Sequence, residues 1–221
     1  MGKRGPKPKG KVKIKWSANF AYAIGLIVTD GNLSQSGSRI TLVSKDREQI
    51  DNFNKCLNID VKIGIHNSGS TISTALRVQF KDVLFFNFLN SVGIYPAKSK
   101  TIREVKIPKK YFFDYLRGCF DGDGTIYSYW DKRWKSSFMF YVCFVSASEY
   151  HILWLQNEIF KILKINGHIT SNKNDSCKQL KYAKADSLKI IKNMYKNKKS
   201  VFLSRKKLKI KKILAIVGES I

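Results

Sequence analysis

Apolar and polar positions along this 221-residue chain alternate between helical and strand periods in a fixed order. From Ser17, a helix N-cap, an apolar stretch predicts a helix that Gly31 ends as a left-handed cap. Asn32–Ser36 and Arg39–Ser44, parted at Gly37, predict a strand pair. Asp46–Leu57 places Ile50, Phe53 and Leu57 on one helical face. Val61–His66 and Thr71–Phe80 predict a second strand pair about the turn Asn67-Ser68-Gly69-Ser70, followed by a helix over Asp82–Val92. After a lysine-rich stretch with Pro96 and Pro108, the order returns. It runs helix Tyr111–Phe120, strands Thr125–Trp130 and Ser137–Val145, helix Glu149–Leu163, strands Gly167–Asn172 and Cys177–Tyr182, and helix Ala185–Tyr195.

Sequence identity follows the same repeat. Ala23-Ile24-Gly25-Leu26-Ile27-Val28-Thr29-Asp30-Gly31 returns 93 residues later as Leu116-Arg117-Gly118-Cys119-Phe120-Asp121-Gly122-Asp123-Gly124. Leu42-Val43-Ser44 matches Phe144-Val145-Ser146, Leu57-Asn58-Ile59 matches Leu163-Lys164-Ile165, and Leu76-Arg77 matches Leu180-Lys181. Beyond the first strand pair the offset grows to 102, so the second hairpin is longer. The pattern predicts an α+β fold of two αββαββα units related by a pseudo-twofold axis. Two antiparallel four-stranded sheets would form a long saddle, with the repeated helices packed at the centre. The expected divisions are a disordered basic arm at 1–15, a first half at 16–95, a linker at 96–110, a second half at 111–205 and a basic C-terminal tail at 206–221.

Gly25 and Gly118 allow the two repeated helices to approach closely, which brings their C-terminal ends together. Asp30 and Asp123 would then stand at the negative ends of two helix dipoles, where carboxylates are disfavoured. A divalent cation relieves both that and their mutual repulsion. Asp121-Gly122-Asp123-Gly124 is not an EF-hand loop, because Ile126 and Lys132 stand where that loop needs Gly and Glu.

The chain carries 41 Lys and Arg against 16 Asp and Glu, for a formal charge of +25. Such an excess implies a polyanionic partner, while an apolar fraction of 43% rules out a disordered polycation. Cys56, Cys119, Cys143 and Cys177 form no CxxC pair and predict buried or free thiols in a reducing compartment. The basic N-terminus has no apolar core behind it, and no apolar run is long enough to span a bilayer, so a soluble intracellular protein without a membrane partner is expected. A chain that starts on Met, with no initial Cys for splicing, is not expected to be an intein.

At the repeated segment the chain resembles the LAGLIDADG homing endonucleases, in the single-chain form with two motifs. The resemblance runs from about Ser17 to Arg205. It implies that Asp30 and Asp123, at the eighth motif position, are the catalytic metal-binding acids, and that the Thr29 and Gly122 carbonyls are further ligands. Mg²⁺ is the implied cofactor, with Mn²⁺ as the alternative. The first copy departs at the sixth position, where Val28 replaces the acid found at Asp121; that position varies in the family. Lys45 stands where family members carry a basic residue near the scissile phosphate. Its counterpart is Ala147, so the two centres should be unequal. The implied activity is metal-dependent cleavage of both strands of a long asymmetric DNA duplex by a monomer that serves intron mobility. An intron RNA maturase and a non-catalytic DNA-binding regulator are the alternatives on the same scaffold.

Two-stranded ribbons fit the DNA major groove. Alternation along the predicted strands nominates Asn32, Ser34, Gln35, Arg39, Thr41, Lys62, His66, Arg77 and Gln79 in the first half. In the second half it nominates Tyr127, Tyr129, Lys132, Arg133, Lys135, Lys173, Lys178 and Lys181.

Overall fold

The computed structural model describes residues 10–67, 74–134, 136–171 and 177–221. The predicted turn at 68–70, the start of the strand predicted from Thr71, and the candidate DNA contacts Lys135 and Lys173 lie outside them. The first half runs α1 (Ala18–Thr29), β1 (Gly31–Leu33), β2 (Arg39–Ser44), α2 (Arg47–Leu57), β3 (Ile63–Asn67), β4 (Thr74–Lys81) and α3 (Val83–Ser91). The second runs α4 (Phe112–Gly122), β5 (Thr125–Trp130), β6 (Phe138–Ser146), α5 (Glu149–Leu163), β7 (His168–Thr170), β8 (Lys178–Tyr182) and α6 (Lys184–Met194), and a further helix α7 (Ser204–Ile216) follows. Each half folds one antiparallel four-stranded sheet, in the orders β1-β2-β4-β3 and β5-β6-β8-β7. The α+β duplication expected from the sequence is therefore observed.

Local chemistry fixes the helix starts. Ser17 Oγ accepts from Phe20 N at 3.1 Å, Asp46 from Glu48 N at 3.1 Å and Asp82 from Phe85 N at 2.9 Å. Each such cap stabilises its helix by about 1 kcal/mol. Asn58 and Lys164, matched in the sequence repeat, end α2 and α5 alike in the left-handed conformation, with φ of 51° and 55°.

One face of each sheet packs on the helices. Ile40, Leu42, Val78 and Phe80 are buried in the first sheet, and Ile126, Phe140, Val142, Phe144 and Leu180 in the second. The alternate residues face outward. Lys178 shares its parity with buried Leu180 and Tyr182, so it does not belong to the outward row in which it was expected. Gln179 and Lys181 do.

Three other expectations are corrected. Gly31 is not a left-handed cap: Asp30 caps α1 with φ −96° and ψ −5°. Gly31 begins β1, where a Cβ would lie 2.6 Å from Ile27 Cα. Residues 10–15 are not wholly a free arm. The backbone N–H groups of Lys11 and Val12 donate to Asp82 Oδ2 at 2.6 and 2.9 Å, and Val12 is 5% exposed. The expected tail is mostly the helix α7, whose Ile210, Ile213 and Leu214 join the core. No helix among the described residues is long and apolar enough to cross a membrane.

Candidate functional site

The crossing of α1 and α4 builds the site. A Cβ on Gly25 would collide with Tyr115 O and lie 2.8 Å from Gly118 Cα, and one on Gly118 would collide with Tyr22 O. Only glycine permits this backbone contact. The two helix ends meet as a result: a Cβ on Gly122 would lie 2.7 Å from Asp30 Oδ2. Asp30 and Asp123 are the C-cap residues of α1 and α4.

Both carboxylates are hard to ionise here. Burial, and then the charge of Asp123, push the Asp30 carboxyl up to about 6, against the hydrogen bonds from Gln49 and Thr29. Burial also raises Asp123. Gln49 Nε2 donates to Asp30 Oδ2 at 2.7 Å, and Thr29 Oγ1 lies 3.2 Å from the same oxygen.

Two buried lysines supply counter-charge. Lys98 Nζ donates to Gly31 O at 2.5 Å. Lys206 Nζ donates to Phe120 O, Gly122 O and Gly124 O at 2.5, 2.9 and 2.7 Å. Burial pulls both ammonium groups down to about 8, against the neighbouring carboxylates. The first comes from the expected linker and the second from the expected tail. Their signal in the sequence was weak, because each is one lysine among many.

The third motif acid has another role. Asp121 is fully buried, and its Oδ2 accepts from Tyr22 OH and Leu203 N, both at 2.8 Å. It holds the segment entering α7. The first half grips the same segment: Ser204 N and Oγ donate to Glu48 at 2.9 and 2.5 Å, and Arg205 Nε donates to Asp46 at 2.7 Å. Beside it, buried Arg117 bonds Val201 O and Met194 O.

The two sides of the centre differ. On the Asp30 side an open cleft of about 570 Å³ is lined by Ser44, Lys45, Asp46, Arg47, Gln49, Gly122 and Arg205. Lys45 lines the same cleft as Asp30. On the Asp123 side a cavity of about 20 Å³ is lined by Thr29, Cys119, Val145, Ser146 and His151 among others. His151 occupies the position equivalent to Gln49, yet its ring serves other partners: Nδ1 bonds Arg103 O at 2.7 Å and Nε2 lies 3.3 Å from Tyr115 OH. Burial drives it down to about 4, so it is neutral at physiological pH.

Among the described residues no group of three or more His, Cys, Asp and Glu side chains could hold a metal ion. The available donors are two adjacent carboxylates and backbone carbonyls. That hard, incomplete oxygen set suits a divalent cation that completes its shell with water or phosphate oxygens. Gly122 O already accepts from Lys206, which leaves one lone pair free.

Solved structures share this architecture. The N-terminal LAGLIDADG domain of DUF199/WhiA matches with a TM-score of 0.53 and 16% identity, over 81% of this chain and 82% of that one. The chain has the LAGLIDADG fold. The homing endonuclease I-WcaI, bound to its DNA recognition sequence, matches with a TM-score of 0.59 and 14% identity over 88% of each chain. I-DmoI in complex with DNA and Mn matches with a TM-score of 0.52 and 14% identity, over 81% of this chain and 97% of that one. No protein-family model and no curated protein matches the sequence.

The strands that leave the LAGLIDADG helices carry the expected surface residues. Asn32, Arg39, Thr41, Arg77, Gln79 and His66 share the outward face of the first sheet, and Lys62 continues its row just ahead of β3. Ser34 and Gln35 fall in the turn after β1, where the Ser34 hydroxyl bonds Ser36 and Arg39 N. Tyr127, Tyr129 and Lys181 share the outward face of the second sheet. Lys132 and Arg133 lie in the hairpin loop, with Arg133 paired to Asp131. Sequence reasoning missed Met139, Tyr141 and Gln179 on that second face.

Proposed function

We propose that the chain is a site-specific, divalent-metal-dependent endonuclease of duplex DNA that acts as a monomer. The supporting observation is the pair Asp30 and Asp123, set at abutting helix ends with Lys98 and Lys206 beside them. A cationic protein surface and two repulsive acids are complementary to phosphate and metal together. Asp30, Asp123 and the Thr29 and Gly122 carbonyls would hold Mg²⁺ or Mn²⁺. The bound metal supplies activation of water and stabilisation of the leaving oxygen. Lys98 and Lys206 place fixed positive charge where the phosphodiester gains negative charge, a preorganised form of stabilisation. Lys45 and Gln49 add donors on the Asp30 side alone, so the two strands are cut at unequal rates. Outward residues of both sheets bind the flanking duplex.

Incubation with a randomised duplex library, with Mg²⁺ or with EDTA, tests this reading. Metal-dependent ends at one long motif are expected. Tight duplex binding without cuts would leave a DNA-binding regulator, and selective binding of structured intron RNA would leave a maturase.

A further inference from the structure

The outward faces of the two sheets differ in chemistry. The first bears Arg39, Arg77 and Lys81 among hydrogen-bonding side chains such as Thr41 and Gln79. On the second, Tyr127 and Tyr129 stack on either side of Tyr141 with ring planes within 12° and 9° of parallel, at centroid distances of 5.3 and 6.2 Å. Met139 pairs across from Tyr129, and Cys143 from Thr125. The apolar surface is not part of the core. Tyr129 is 46% exposed; Cys143, at the far end of the outward row, is 2% exposed, and the other buried residues of the same strands face the helices.

Stacked tyrosines form a rigid surface that loses little conformational freedom on binding. The stacked rings cannot supply the bidentate donors with which arginine reads guanine; the polar members of this outward face, Gln179 and Lys181, stand on β8, across β6 from the ladder's β5 members Tyr127 and Tyr129. The apolar feature of the major groove is the thymine C5-methyl. The ladder is also continuous with the candidate centre, because β5 begins two residues after Asp123. At about 3.3 Å per residue, Tyr127 and Tyr129 lie roughly 13 and 20 Å along the strand from Asp123. That span corresponds to about four to six base-pair steps of 3.4 Å.

We infer that the two sheets read their half-sites by different chemistry, and that the second selects thymine through methyl contacts with Met139 and the Tyr127–Tyr141–Tyr129 ladder. The inference rests on the duplex-DNA reading above and adds the base class recognised by one half.

The test begins with the full chain and a randomised duplex, selected in parallel for binding in EDTA and for cleavage in Mg²⁺. The selected site is then remade with deoxyuridine in place of thymidine in one half at a time, and affinity is measured in EDTA. Deoxyuridine in one half-site, four to six steps from the centre, should weaken binding about fourfold per methyl removed, and in the other half should leave it unchanged. Tyr129→Thr with Tyr141→Thr should erase the difference between the two bases. Tyr127→Phe with Tyr141→Phe should preserve it, because the rings rather than the hydroxyls make the contact. Equal sensitivity of both halves, no sensitivity, absence of thymine from that window, or loss of the difference in the phenylalanine variant would overturn the inference. Cleavage without methyl dependence sinks this inference alone. Methyl dependence without cleavage sinks the nuclease reading alone.

Discussion

Lys98 and Lys206 make the same contact from opposite parts of the chain. One ammonium lies on the Gly31 carbonyl and the other on the Gly124 carbonyl, and these glycines are equivalent in the repeat. The charge of each lysine reaches both acids, but each ammonium is anchored on carbonyls at the helix end of one of them. Lys98→Met and Lys206→Met are expected to slow the cutting of opposite strands, each by about 10²- to 10³-fold. Strand-resolved single-turnover kinetics would show this. Equal slowing of both strands by either variant would contradict the assignment.

The Asp30 side carries the extra donors Lys45 and Gln49. Lys45→Ala or Gln49→Ala should reduce the rate on one strand and narrow the difference between strands. A Lys45→Ala protein that nicks both strands at the original rates removes that lysine from the reaction.

Charge at the helix ends opposes folding. The Asp30 carboxyl has its folded pKa raised to about 6, so the folded state binds the extra proton and stability falls as pH climbs from about 4 through 6. Asp30→Asn should therefore be more stable than the parent at pH 7.5, by about 1–3 kcal/mol, and the gap should close near pH 4. Thermal melts of both proteins at the two pH values measure this. Asp30→Asn and Asp123→Asn should also lose cleavage while keeping DNA affinity. Mg²⁺ should raise the parent's melting temperature and leave those of the variants unmoved.

Backbone contact at the crossing makes the glycines sensitive to a single methyl. Gly25→Ala would press on Tyr115 O and Gly118 Cα, and backbone yields less readily than a side chain. The expected loss is about 3 kcal/mol, readable from urea denaturation. A loss below about 0.5 kcal/mol would show that the helices can separate freely.

Phosphate contacts should make binding steeply dependent on salt. If six to ten phosphates are neutralised, affinity falls about 10³- to 10⁵-fold between 50 and 200 mM salt. A titration by fluorescence anisotropy would decide this, and a flat response would count against the groove-binding faces.

The motif acids and the outward polar rows were legible because each lies in a local pattern: a nine-residue segment that recurs for Asp30 and Asp123, alternation for Arg39, Thr41, Arg77 and Gln79. Tyr141 was hidden because β6 reads Phe-Met-Phe-Tyr-Val-Cys-Phe-Val, apolar on both faces, so alternation carried no signal. Lys178 was misplaced by strand parity, which one residue of register reverses. Lys98 and Lys206 were invisible because tertiary packing selects them. Nothing local marks a lysine whose nitrogen will meet a helix end 67 or 82 residues away. Gly31 resembled a helix cap because a glycine after a helix is usually left-handed; here it clears Ile27 instead.

The clasp between α7 and the first half also makes the centre depend on a helix that follows both halves in the chain. Ser204 and Arg205 are held by Glu48 and Asp46, and Lys206 follows them into the centre. A nascent chain grown only through α6 already contains both acids and Lys98, but one of the two buried ammonium groups has yet to be synthesised. A ribosome-bound or truncated chain ending there would hold both acids with Lys98 as the one buried ammonium to offset them.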